Sequence, residues 1–563
     1  MSFETMTKPS APNRNRLLGL LLRYGPVAAV LALATWLRLD GVGFGLPALN
    51  DPDEPLFMML AYSMLDRGSF DPQWFGHPGT ITLYSLALVM VGVAGFGLMS
   101  GRFASIADFG AAVHLDPGIV FLPARLFIVA NGVACVWLVY LIGKRLWGER
   151  AGLAAALVLA VNAVHISWSQ VIRTDVQASL FMLACVLQSI AIMRDGRLRH
   201  YVLAGILAGL ACATKWPAAV IALSPLGAAL WRVVKLGDDR RLVLVVAGVP
   251  VLTLFAVSPY LLLSYDIVLR DLSGEARPIH PGATGGGVLD NLGWYLSTPL
   301  GTSFGAIGLF LAALGAFVVL LRDRGWLWAV MPGFAAFLLV ISTQHLIWER
   351  WLVPVLPFLA LGLGWVAGPA VDMLVRERRK LAEFLAFGAL AALCLPMLQA
   401  SLARAEERRH DTRQMASNWV KTHVPPGSTI LVEHAAIDLI QGPWKVIFPL
   451  GKSGCVDAGA MLKGQISADQ VEDSRQGSPV VDFAHVDPAR LGTCKADVAI
   501  FSHLGVYRAD RARFPAEYAR YAGAVGQGRI CHEISSMVGK SGGPEIVIVG
   551  FPTARNAGLS CPA

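Results

Sequence analysis

The chain has 563 residues, of which 55% are hydrophobic and only 15% charged, with 47 Lys and Arg against 39 Asp and Glu for a formal net charge of +8. Soluble globular proteins carry about 25% charged residues, so an ordinary cytosolic enzyme is excluded, as are a disordered chain, a collagen and a small disulfide scaffold. Long runs of Leu, Ala and Val indicate membrane-spanning helices rather than the alternating strands of a barrel, and the positive charge suits loops beside anionic lipid, with no nucleic-acid partner implied.

The basic start (Lys8, Arg14, Arg16, Arg23) runs straight into an apolar segment without a small-residue cleavage site, so it is read as a cytoplasmic N-terminus over 1–22 followed by an uncleaved span. About eleven spans are predicted, near 22–40, 122–142, 151–167, 176–193, 201–214, 217–232, 242–264, 303–321, 326–342, 352–370 and 382–399. The fold class is thus a polytopic α-helical membrane protein, with a membrane domain over 22–399, a large first loop over 41–121 and a C-terminal soluble α/β domain over 400–563.

The connections alternate in charge. KRLWGER, MRDGRLRH, WRVVKLGDDRR, RDRG and VRERRK are basic, and the opposite set is not. The positive-inside rule makes the basic set cytoplasmic. The first loop and the C-terminal domain then lie outside, away from the cytoplasm. One further segment, Thr80 to Ser100, is apolar and long enough to span, but counting it would invert every later loop. It is read as a helix lying in or dipping into the outer leaflet.

Beyond Gln399 the texture becomes that of a soluble domain, with a helix over Asp411 to His423, a turn at Pro425-Pro426-Gly427 and short strands at Thr429–Val432, Val498–Phe501 and Glu545–Val549. Cys455, Cys494, Cys531 and Cys561 all fall here, whereas the other four cysteines sit in apolar spans. Four cysteines in one extramembrane domain suggest two disulfides of open pairing and an oxidising compartment.

On this map the charged residues that flank spans converge on the outer face. The first loop opens NDPDEPLFMML, where Asp53 and Glu54 precede a proline-led amphipathic helix. Capping that helix needs one carboxylate, and the stretch supplies Asp51, Asp53 and Glu54. Clustered carboxylates shift one another's pKa, which marks Asp53 and Glu54 as the catalytic pair. The second turn brings Arg173 and Asp175, the third Lys215, the fourth His280 beside the glycines of GATGGG, and the fifth His345, Glu349 and Arg350. No Lys-Ser/Thr follows those glycines, and HExxH and GxSxG are absent. Cations at span ends suit a lipid phosphate whose tail stays in the bilayer. A carboxylate beside them suits a general base that deprotonates an acceptor while a sugar–phosphate bond breaks through an oxocarbenium-like state. A lipid or solute transporter or flippase is the rival reading, but such proteins show repeat halves and polar groups near the midplane, neither of which is evident.

The acidic pair after the first span, His77-Pro78, the Arg173-x-Asp175 turn, Gly209-Leu210-Ala211 with Thr214-Lys215, and Arg350 followed by Pro354 and Pro357 together resemble the C-type membrane glycosyltransferases, which include protein O-mannosyltransferases and the lipid A aminoarabinose transferase. The resemblance follows most of the membrane part in order. It implies a polyprenyl-phosphate sugar donor, a glycan, lipid or protein acceptor, and inverting transfer. It also implies that Asp53 is the base or orients the acceptor with Glu54 as partner, that Lys215 and Arg350 meet the donor phosphate, and that His77 and Asp175 are acceptor-binding or site-shaping; by their place in the loops Arg173 is read with the phosphate-binding cations and His280 with the acceptor-binding or site-shaping residues. Phe57 stands where the family has tyrosine and Gly79 where it has a second proline, which removes any contact from that hydroxyl and points to a different acceptor. Relatives differ in metal use. No cofactor is expected here; if a divalent cation such as Mg or Mn is used, Asp53, Asp175 and His77 are its candidate ligands.

Overall fold

The computed structural model describes residues 14–374, 379–434, 436–462 and 481–553, with Gln465, Gln470 and Cys561. Lys8, Arg376 and Arg378, counted above among the cytoplasmic charges, lie outside them. Helices occupy all eleven predicted span positions. Among the described residues, seven helices suffice by length and composition to cross a bilayer: Thr80–Met99, Gly118–Trp147, Thr174–Asp195, Trp216–Leu236, Val288–Arg322, Leu356–Met373 and Glu383–Arg409. The pair Glu149–Ala160 and Ala163–Ser169, bent by 64°, makes up to eight. Tyr24–Leu39, Leu198–Thr214, Arg241–Val257 and Trp326–Ser342 are shorter. They fall below the roughly 20 residues of an upright crossing, so helix length does not by itself give the eleven of the sequence pattern. The chain is an integral membrane protein.

The bend is built by charge. Arg38, fully buried, donates to the carbonyls of Ala160 at 3.2 Å and Leu159 at 3.3 Å, and bonds His165 Nδ1 at 2.8 Å. It thereby satisfies carbonyls that the end of the Glu149–Ala160 helix leaves open. Asn162 caps the next helix by accepting from the His165 amide at 3.0 Å.

In the first loop the Glu54–Arg67 helix packs on Thr80–Met99 through Phe57, Met58, Ala61, Leu83, Leu86 and Ala87. The near end of Thr80–Met99 adjoins His77. Its far end, at Phe96 and Gly97, lines a 390 Å³ cavity with Ile119 and Pro123, so it meets the Gly118–Trp147 helix at the same end as Arg125. Arg125 fixes this arrangement. Its Nε and Nη2 donate to Glu54 at 2.9 and 2.6 Å, its Nη1 donates to the carbonyls of Val42 and Phe44 at 2.8 and 2.7 Å, and both charged side chains are fully enclosed.

The last apolar helix runs from Arg379 to Arg409 without a break, so the domain boundary predicted at 399/400 falls inside it. Charged residues end the apolar run there without ending the helix, because Arg and Glu are good helix formers. Asp411 caps the following helix, Thr412–His423, by accepting from the Arg413 amide. A six-stranded sheet follows, built from β1 (Thr429–Val432), β2 (Lys445–Pro449), β3 (Cys455–Asp457), β4 (Val498–Phe501), β5 (Arg529–Ile534) and β6 (Ile546–Gly550) in the order β3-β2-β1-β4-β6-β5. β1 pairs parallel with β2 and β4, and the other pairings are antiparallel. β4 and β6 are buried along their whole length, which explains their unbroken apolar runs. Disulfides join Cys455 to Cys494 and Cys531 to Cys561. This domain rests on the first loop: the Ile437 amide donates to the Ala48 carbonyl at 3.3 Å, and Gln441 donates to that of Leu115 at 2.5 Å.

Breaking a buried ion pair from one side costs about 3–5 kcal/mol, whereas replacing both members by apolar residues of similar size costs far less. Glu54→Gln and Arg125→Met therefore each lower thermal stability in detergent markedly, and the double variant E54L/R125M recovers a substantial part. Equal losses in all three would contradict this.

Candidate active site

Four loops meet beside the Glu54–Arg125 anchor. Asp51 accepts from the amides of Asp53 and Glu54 at 3.0 and 3.2 Å, a turn that sets Asp53 at the helix start with its side chain outward. Arg173, at the start of the Thr174–Asp195 helix, pairs with Asp53 and reaches Asp51 at 3.3 Å. Arg350 lies 4.0 Å from the same Asp53 oxygen, its guanidinium stacked over Trp348 at 4.2 Å. Lys215 ends the Leu198–Thr214 helix and pairs with Asp175. Its backbone bridges to Pro78, and the amide of Trp216 donates to the His77 carbonyl at 2.6 Å. His77 Nδ1 lies 3.2 Å from the Thr174 hydroxyl. Thus Asp53, Arg173, Arg350, Lys215, Asp175 and His77, read separately from five segments, form one cluster.

Exposure separates their roles. Arg173, Lys215 and Asp175 retain 5% or less of their side-chain surface and Arg350 12%, whereas Asp53 retains 40% and therefore faces an open cleft. Burial pushes the Asp53 carboxyl up, but Arg173 and Arg350 outweigh it and hold the group well below the usual carboxylate range. Burial, with Lys215 beside it, lowers His77 to about 3, and burial lowers His280 to about 4, so both rings are neutral at physiological pH. Burial and Arg173 bring Arg350 down to about 10, which leaves it charged.

The Arg350 guanidinium has no hydrogen-bond partner among the described residues; only Coulomb attraction and the Trp348 ring hold it. Arg173 Nε and Asp175 Oδ2 are likewise buried without a partner. Buried charges of this kind are costly unless something completes their shell.

Several sequence expectations change. Glu54 does not face the cleft: it is fully enclosed, accepts from Arg125 and from the Ile172 amide at 2.9 Å, and positions Asp53. Glu349, named above among the charges of the fifth turn, pairs with Arg404 at 2.6 Å. Among the described residues no three His, Cys, Asp or Glu side chains group so as to hold a metal ion, and this includes Asp53, Asp175 and His77. One polar atom of each is engaged, by Arg173, Lys215 and Thr174 respectively. His280 packs edge-on against Trp348 at 5.1 Å, so it supports Arg350 through that ring. Phe57, at the family's tyrosine position, packs edge-on against Trp74 at 5.8 Å.

Other contributors were not evident from the sequence. Arg404, Arg408, Arg409 and Arg413, in and just beyond the Arg379–Arg409 helix, reach Glu349, Gln170, Asp40 and the Asn50 carbonyl respectively. Each of those lies a few residues from a cleft residue or at the mouth of the first loop. The i, i+4 spacing of Arg404 and Arg408 was the available signal. Glu275 and Arg277 also bring charge to the cleft.

Residues 106–262 match the family described as dolichyl-phosphate-mannose-protein mannosyltransferase. ArnT from Cupriavidus metallidurans, solved with undecaprenyl phosphate, superposes with a TM-score of 0.53 at 14% identity over 98% of this chain and 100% of that one. Its apo structure gives 0.51 at 14% identity over 97% and 100%. The fold is that of ArnT. An archaeal oligosaccharyltransferase from Archaeoglobus fulgidus aligns more loosely, at a TM-score of 0.46 and 13% identity over 88% of this chain and 71% of its own. No curated protein matches the chain by sequence.

Because Asp53 occupies Arg173 and Arg350, removing its charge frees both for an anion. Asp53→Asn is expected to bind inorganic phosphate several-fold more tightly than the wild type, read by tryptophan fluorescence titration. Weaker binding would show that Asp53 is not the competing anion.

Proposed function

We propose that this protein is a glycosyltransferase that moves a sugar from a polyprenyl-phosphate carrier to a glycan, lipid or protein acceptor, with inversion, at the outer face of a bacterial inner membrane. The observation that carries the reading is Arg350: a guanidinium 12% exposed, with no hydrogen-bond partner among the described residues, beside Arg173 and Lys215 at the ends of spans. A phosphate of a lipid lying in the bilayer completes those shells by charge-assisted hydrogen bonds, and Arg donates to two of its oxygens at once. ArnT binds undecaprenyl phosphate, and the matched family is described by its use of dolichyl-phosphate mannose; both support a lipid-phosphate donor here.

In this reading Arg350 and Lys215 hold the phosphate and stabilise the charge that grows on it as the sugar leaves. Asp53, displaced in part from Arg173 and Arg350 by the donor, keeps one oxygen toward the cleft to orient the acceptor. His77 is neutral and ties Thr174 to the first loop, which keeps Asp175 against Lys215. The two disulfides and the basic connections support an outer placement of the cleft and of the sheet domain. A transporter would place its polar residues at the midplane rather than in one cluster at the loop ends.

Purified full-length protein in lipid nanodiscs is expected to consume at least one member of a panel of undecaprenyl-phosphate hexoses and pentoses and to release undecaprenyl phosphate. Consumption of none would overturn the reading. Arg350→Ala is expected to weaken undecaprenyl phosphate binding about tenfold or more, since a hydrogen bond to a charged group contributes about 1.5–3 kcal/mol. Unchanged affinity would remove Arg350 from the donor site.

A further inference from the structure

The carboxylates on one wall of the cleft are all engaged: Asp51 and Asp53 by Arg173, Glu54 by Arg125 and Asp175 by Lys215. Another carboxylate faces them. Glu275 ends the Tyr265–Glu275 helix, which is tied to the first loop one turn earlier where Asp271 accepts from the Phe75 amide at 2.7 Å. Its Oε1 lies 3.1 Å from the point where a β-carbon on Gly76 would stand, so the carboxylate rests against the backbone next to His77. The loop beyond it is held too. The Gly285 amide donates to the His345 carbonyl at 2.7 Å and that of Ile347 to the Ala283 carbonyl at 2.9 Å. Glu275 is exposed as a residue while its carboxylate sits in against the Gly76 backbone, and among the described residues that carboxylate takes part in no hydrogen bond and no ion pair.

A carboxylate pinned by a guanidinium is a poor proton acceptor, because taking the proton forfeits the pair. One that is free and fixed in place beside the cleft suits the task. We propose that Glu275, not Asp53, takes the proton from the incoming acceptor. This rests on the lipid-linked-sugar reading above. Electrostatics agree with the geometry. Burial raises the Glu275 pKa against the opposing pull of Arg277, Arg350 and Lys215, with Asp53 adding to the rise. The nearby His77 and His280 rings are neutral and contribute no charge. A carboxyl shifted upward is a better-matched base at neutral pH.

The step balances as follows. The acceptor oxygen or nitrogen forms a bond to the anomeric carbon as the bond from that carbon to the phosphate oxygen breaks, its electron pair leaving with the phosphate. The acceptor proton passes to Glu275, the polyprenyl phosphate departs on Arg350 and Lys215, and the proton returns to water when the product leaves.

Water and azide separate this role from a structural one, because water must lose a proton on attack and azide carries none. Full-length wild type, Glu275→Gln and Glu275→Ala in nanodiscs are each given an undecaprenyl-phosphate sugar that the wild type hydrolyses, with and without sodium azide. Free sugar and glycosyl azide are quantified, and undecaprenyl phosphate binding is measured as the folding control. The proposal predicts binding within about twofold of wild type, release of free sugar reduced about 10²-fold or more, and formation of glycosyl azide at the wild-type rate. Parallel loss of both products, or retained hydrolysis in Glu275→Gln, would overturn it. A wild type that consumes no donor of the panel would instead bring down the glycosyltransferase reading, and the role of Glu275 with it.

Discussion

A carboxylate and a guanidinium removed from water must find each other, and in this protein the Glu54–Arg125 pair sets the place of everything around it. With both side chains fully enclosed, neither residue can move without leaving an uncompensated charge behind. Arg125 belongs to the 30-residue Gly118–Trp147 helix, and Glu54 to the first turn of the loop's own helix. Joined, they fix where the chain enters that helix, and so where Asp53, one residue earlier, must point.

The Arg379–Arg409 helix reinforces the arrangement from the other side. Phe44 receives two guanidinium groups, Arg125 at 4.1 Å and Arg408 at 4.5 Å. Arg408 also donates to Gln170 at 2.6 Å and to the Ser167 carbonyl at 2.8 Å, just before the turn that carries Arg173. Arg404 holds Glu349, the neighbour of Arg350. The helix that leads into the sheet domain therefore touches the supports of three cleft residues, and the sheet domain itself contacts the loop at Ala48. In the cleft these supports leave a balanced cluster in which Asp51, Asp53 and Asp175 stand against Arg173, Arg350 and Lys215. An incoming phosphate enters this cluster by replacing part of one carboxylate's pairing, and needs no new cation.

Much of this was legible in the sequence, for physical reasons that differ by residue. Apolar runs locate helices because a bilayer tolerates little else, and all eleven predicted positions hold one. The strands Thr429–Val432 and Val498–Phe501 were readable because buried parallel strands are continuously apolar. Asp53, Arg173, Asp175, Lys215 and Arg350 were readable because a charge at a span end demands a partner or a ligand. What sequence could not supply was pairing. Nothing local distinguishes Asp53, which faces the cleft, from Glu54, which is sealed against Arg125 seventy-odd positions away. The same holds for Glu349, whose adjacent Arg350 is not its partner. Arg38 was hidden for a related reason: its role is to cap a helix break more than a hundred residues distant.

The central claim is that Arg350 and Lys215, set opposite Asp53 and Asp175, form a seat for a lipid phosphate. It is tested most directly by an experimental structure of the full-length protein with undecaprenyl phosphate. The account predicts phosphate density within hydrogen-bonding reach of the Arg350 guanidinium and the Lys215 ammonium, with the isoprenoid tail leaving toward the bilayer. Phosphate density away from both residues, with Arg350 still facing Asp53 alone, would contradict it.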